Sequence, residues 1–74
     1  MIAKVYDRDF MYSPQDVRDA QDQINTIVPG ISKERTRAFG RFELQLLSDL
    51  TEAQQTAFSD WVAAEHPDWE VVWR

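Results

Sequence analysis

Cysteine is absent from this sequence, and histidine occurs once, at position 66. Without thiols there is no disulfide to staple the fold and no thiolate metal site. A single imidazole leaves no second one to complete a histidine ligand set. Glycine is nearly absent too, with only Gly30 and Gly40, which excludes a glycine-rich loop built to cradle phosphates. No D-x-D-x-D-G calcium loop occurs, and Asp7 and Asp9 read as part of a solvated loop. General acid–base or nucleophilic catalysis needs a base beside a Ser, Cys or Lys. His66 precedes Pro67 at the end of a helical pattern and reads as a capping or surface residue. These absences predict a protein without catalysis, cofactor or metal. No apolar run approaches the ~20 residues of a membrane helix. Met1 to Asp9 contain neither the apolar region nor the cleavage site of a signal peptide, so a cytoplasmic address is expected.

What remains is a short chain of 74 residues, read as one domain over 1–74, with 43% apolar and 12% aromatic content. That composition belongs to a folded protein rather than a disordered tail. A chain of this size buries only about 60% of its unfolded surface. A core of this size rarely supplies more than about 3–5 kcal/mol of net stability. Three Trp, four Phe and two Tyr must provide much of the burial, and self-association would add to it. The net charge is −5, from 13 acids and 8 bases. It argues against nucleic acid or anionic lipid as the main partner. The bases cluster: Lys33, Arg35, Arg37 and Arg41 are half of them, within nine positions.

Residues 2–7 read as a strand, with Ile2 and Tyr6 on one face and Ala3 and Val5 on the other. A strand apolar on both faces belongs in the centre of a sheet. Arg8 to Tyr12 form a loop. Ser13-Pro14 starts a helix, because serine accepts from the free N–H groups of the first turn and proline fits the first helical position. Val17, Ala20, Ile24, Ile27 and Val28 make its apolar stripe, opposite Arg18, Asp19, Asp22, Asn25 and Thr26. Pro29-Gly30 stops it. Residues 31–36 read as a loop or weak edge strand. Arg37 to Leu47 then carry the longest two-residue alternation, read as one strand. Ala38, Gly40, Phe42, Leu44 and Leu46 point to the core, and Arg37, Phe39, Arg41, Glu43, Gln45 and Leu47 point away.

Thr51 with Gln54 fits a capping box. A second helix follows, with Ala53, Ala57, Phe58, Trp61, Val62 and Ala64 as its apolar face. His66-Pro67-Asp68 ends it, and Trp69 to Arg74 form a last strand with Trp69, Val71 and Trp73 on one side. The order β-α-(β)-β-α-β predicts an α+β two-layer sandwich: a three- or four-stranded sheet with both helices on one face. With 31–36 as a strand the order is ferredoxin-like.

Two short stretches resemble known families. His66-Pro67-Asp68 resembles the signature of the J-domain co-chaperones. In that family the tripeptide lies between two long antiparallel helices, whereas here a strand follows it. Arg37-Ala38-Phe39-Gly40-Arg41-Phe42-Glu43-Leu44 resembles the longer signature of RNA-recognition motifs, on the third strand of β-α-β-β-α-β. Arg37, Phe39 and Gly40 fit that pattern, while Ala38 and Arg41 depart from it. The resemblance implies a single-stranded nucleic-acid-binding module with a base stacked on Phe39 and phosphates at Arg37 and Arg41. The plainer reading packs Phe39 against a loop or a neighbouring chain.

Asp16, Asp19 and Asp22 lie on the polar part of the first helix. A row of carboxylates there is either an acidic mimic of nucleic acid or an ordinary solvated face. Protein binding needs anchors left over once the core is filled, and Phe10, Tyr12, Phe39 and one of the tryptophans are candidates, with Arg37 and Arg41 beside Phe39. The C-terminal strand offers an edge for pairing, including a homodimer. The expected function is therefore non-catalytic protein binding. Small, acidic, cysteine-free domains of this kind resemble the accessory proteins of phages and mobile elements, anti-CRISPR proteins among them. That resemblance, in size and composition, implies inhibition of a host enzyme or defence complex by occupying a working surface.

Overall fold

The computed structural model describes residues 1–74. The elements are β1 (Ile2–Asp7), α1 (Pro14–Ile27), β2 (Ser32–Ala38), β3 (Arg41–Leu46), α2 (Glu52–Glu65) and β4 (Trp69–Trp73). The strands form one antiparallel sheet in the order β2-β3-β1-β4. Each β-α-β crossover leaves a gap filled by a strand of the other, which is the split arrangement of ferredoxin-like folds. Both helices cover one face, so the fold is an α+β two-layer sandwich. β1 is central, and its inward Ala3 and Val5 are fully buried.

The helix starts follow from their caps. The Ser13 hydroxyl accepts from the Asp16 N–H (3.1 Å), and the Asp16 carboxylate accepts from the Ser13 N–H (2.9 Å). Aspartate thus closes a capping box more often closed by Glu or Gln. Thr51 and Gln54 do the same for α2, at 3.2 and 2.8 Å. Val17, Ala20 and Ile24 bury the apolar face of α1. On α2 only Phe58 and Val62 are buried, with Trp61 half-buried, while Ala53, Ala57 and Ala64 are exposed. The predicted apolar face was too wide. At about 100° per residue those alanines lie roughly 100–140° round from Phe58, and a methyl group supplies little area to turn the helix towards them.

The main correction concerns Arg37–Leu47, which is not one strand. Phe39 and Gly40 form a two-residue turn between β2 and β3, and Ala38 pairs with Arg41 across it. Gly40 has φ +75°, while Phe39 has a negative φ, the pattern of a type II turn with glycine at its third position. The turn shifts the parity of everything before it. Phe42, Leu44 and Leu46 face the core as expected. Arg37 pairs with Phe42 and so lies on the helix side, whereas Ala38 and Arg41 lie on the open face.

Residues 31–36 belong largely to β2, an edge strand. It has almost no apolar side chains to hold it, and polar contacts with α1 take their place. Ser32, which is buried, donates its N–H to Asn25 Oδ1 (2.8 Å) and receives Gln21 Nε2 at its hydroxyl (3.2 Å). Gln21 Oε1 in turn accepts from the Arg35 guanidinium (2.7 Å). Gln21 is buried on the inner face of α1 for this reason. A β-bulge between Ser32 and Glu34 adjusts the register at the start of the strand.

Candidate functional site

The site begins with Asp7, the last residue of β1, which is 5% exposed. Its carboxylate accepts from the N–H groups of Asp9 and Met11, both at 2.9 Å. Its own N–H donates to the Gly40 carbonyl (2.9 Å), and the Phe10 N–H donates to the Asp7 carbonyl (3.2 Å). One side chain therefore folds the 8–12 loop back on itself and holds it over the β2–β3 turn. Phe10 adopts φ +56°, the left-handed region that bulky residues rarely occupy.

The Phe10 ring lies directly on Gly40, so that a Cβ at position 40 would collide with it. Beyond Gly40 it stacks on Phe39, with ring centroids 5.0 Å apart and planes 13° from parallel. The Tyr12 hydroxyl lies between the Ala38 and Arg41 carbonyl oxygens, donating to the latter at 2.8 Å. Its ring meets Phe42 of the core edge-on. Loop and turn are thus clamped together. Even so, Phe39 is 88% exposed and Phe10 57% exposed, and Met11 beside them is also exposed. An open groove of about 670 Å³ runs from this tip along β2, lined by Phe10, Tyr12, Pro14, Arg35, Arg37 and Phe39 among others.

Of the sequence-predicted residues, Phe39 stands at the tip and Arg37 borders the groove on the helix side. Arg41 turns to the open face, where its Nε lies 3.8 Å from the Glu43 carboxylate. The three do not share a strand face. The stretch resembling the RNA-recognition signature runs strand, turn, strand, and its aromatic lies in the turn. Tyr6 is the one aromatic of the open face in β1, between Arg41 and Glu70.

The acidic residues of α1 separate as well. Asp16 is committed to the cap, Asp19 accepts from Gln15 (2.8 Å), and Asp22 is exposed further along the helix. Asp9 meets Asp68 instead. A carboxyl–carboxyl hydrogen bond to Asp68 and the like charge of that neighbour hold the Asp9 carboxyl above the usual carboxylate range. His66 caps α2, donating its N–H to the Val62 carbonyl (2.7 Å), and its ring stacks on Trp69 at 3.6 Å. No three His, Asp or Glu side chains converge as metal ligands. No helix is long and apolar enough to cross a membrane.

No family model matches the chain, and no curated protein or solved structure is significantly similar to it. The site therefore rests on its geometry. The signals that could have found it were Gly40, a glycine inside an apparent strand, and Phe10-Met11, two large apolar residues in a segment with no strand or helix pattern. What the sequence does not reveal is that these two signals meet in space.

Proposed function

We propose that this is a non-catalytic protein-binding domain whose contact surface is the aromatic tip formed by Phe10 and Phe39, with Met11 and Arg37 at its border. One observation carries the reading: a left-handed Phe10, a Cβ-free Gly40 and a buried Asp7 together hold two stacked phenylalanines out in water. Exposed aromatic area costs solubility and brings no core stability, while rigid aromatics beside arginine supply a large share of interface energy. The form of binding proposed is occupation of a partner's working surface. Small phage and mobile-element accessory proteins, including anti-CRISPR proteins, act on a host enzyme or defence complex in this way.

The test is capture from host lysate by tagged wild-type protein and by Phe39→Ala in parallel, followed by affinity measurement with the captured partner. Phe39→Ala should leave the fold intact and weaken binding about tenfold or more. Equal affinity of the two would move the site elsewhere. A second reading uses the same feature. The free face of Phe39 beside Arg37 is also suited to a base of single-stranded nucleic acid. Salt-dependent binding of labelled oligonucleotides that Phe39→Ala removes would select that reading over the first.

A further inference from the structure

We propose that the free edge of β4 is a self-association surface, on which a second copy of this chain pairs antiparallel about a two-fold axis at Val72. The inference is independent of the aromatic tip, whose Phe39 lies in the β2–β3 turn and does not border the free edge of β4. It starts from which backbone groups β4 leaves unpaired. Ile2 and Arg74 exchange N–H···O bonds at 2.7 and 2.9 Å, and Arg8 N–H donates to the Asp68 carbonyl (3.1 Å). Antiparallel ladders alternate, so Lys4–Val72 and Tyr6–Glu70 are the bonded pairs between these ends. Val71 and Trp73 therefore turn their N–H and C=O groups outward, away from β1. The Trp69 N–H is already used by the His66 carbonyl (2.9 Å).

Four outward groups per chain match a second copy with Val71 opposite Trp73 of that copy, which gives four hydrogen bonds. The same register places Val72 opposite Val72 of the second copy and Glu70 opposite its Arg74. On the open face, then, the apolar residue meets itself on the axis and opposite charges meet on both sides of it. On the helix side, Trp73 of the second copy arrives beside Val71. An open groove of about 380 Å³ lies there, lined by Ser59, Val62, Ala63, Pro67, Trp69 and Val71. Both Val71 and Trp73 are only half-buried in the single chain. The contact is isologous and closes as a dimer, with one eight-stranded sheet made of two four-stranded ones.

Sheet edges not meant for pairing are blunted by charge and bulges. β2 has both, and β4 has neither on its inward-facing side. Because the chain contains no cysteine, a single introduced one reports on the axis. Facing residues in a non-hydrogen-bonded antiparallel pair lie about 4.5 Å apart at Cα, within disulfide range.

The experiment is sedimentation equilibrium of the full chain over a concentration series, with oxidation of Val72→Cys. A concentration-dependent dimer is expected, together with a disulfide-linked dimer of Val72→Cys that forms on mild oxidation. Arg74→Glu should raise the dimer dissociation constant about tenfold, and Glu70→Arg combined with Arg74→Glu should restore it. Circular dichroism of each variant confirms that the monomer is folded. A chain that stays monomeric up to about 1 mM would overturn the proposal. So would a dimer in which Val71→Cys cross-links and Val72→Cys does not, or one indifferent to the charge exchange.

Discussion

The two edges of the sheet are built on opposite principles. At β2 every residue after Ser32 is exposed, four of the seven positions carry charge, and a bulge breaks the register. That edge resists pairing and instead presents side chains, ending in the Phe10–Phe39 tip. At β4 five residues include two tryptophans and two valines, and what the edge presents is main chain. One small sheet thus displays shape and charge on one side and hydrogen-bonding capacity on the other. Edge chemistry, more than fold, decides how such a domain meets its surroundings.

The strongest way to break this division is at the residue that serves both sides. Phe42 is fully buried and packs against Tyr12 towards β2 and Trp69 towards β4. Phe42→Ala should cost about 3–5 kcal/mol, comparable to the whole stability of so small a domain. Urea melts should therefore show a largely unfolded chain with both edges lost together.

Gly40→Ala acts on one side only. Left-handed geometry and displacement of the Phe10 ring should cost about 1–3 kcal/mol. If the two proposed surfaces are separate, partner capture by the proposed tip should fall while the proposed β4 dimer persists. A smaller and equally local effect is expected from Gln21→Ala, which removes the link between Ser32 and Arg35. A loss of about 1–2 kcal/mol, with faster hydrogen exchange confined to β2, would show that polar contacts hold that edge. Uniform loosening of all four strands would show that the two edges are not separate.

The smallest effect concerns the Asp9–Asp68 pair, which joins the tip loop to the start of β4. Asp9 has its carboxyl raised by Asp68 in the folded chain. The folded state therefore holds the proton more tightly than the unfolded state does. Its contribution is present below the unfolded pKa and is lost as pH rises through the folded one. Asp68→Asn removes the like charge, so the part of the stability that falls as pH rises through the carboxylate range should shrink. An unchanged curve would mean that the two carboxyls act separately.

Most of the fold was legible because its signals are local. Ser13-Pro14, Thr51 with Gln54, and the Phe42-Leu44-Leu46 alternation each specify an element with no help from distant residues. β2 was not legible in the same way. Its inward positions carry Arg35 and Arg37, and the partners that make an arginine acceptable there, Gln21 and then Ser32, come from elsewhere in the chain. The single-strand reading of Arg37–Leu47 failed because a two-residue turn leaves the alternation visually intact while exchanging its faces. Phe39 was recognisable as a surplus aromatic. Its stacking on Phe10 was not, since it depends on a left-handed residue held by a carboxylate.

The hydrogen bonds between Ile2 and Arg74 have a consequence for how the protein is made. β1 leaves the ribosome well before β4, one of its two neighbours in the sheet. At roughly 5–20 residues per second, synthesis of the intervening residues 8–68 takes about 3–12 s. Throughout that interval β1 is without β4, and its apolar faces are incompletely covered. The sheet is completed only when translation reaches β4. Chaperone contacts with the nascent chain should therefore concentrate on β1 and fade as the last strand emerges.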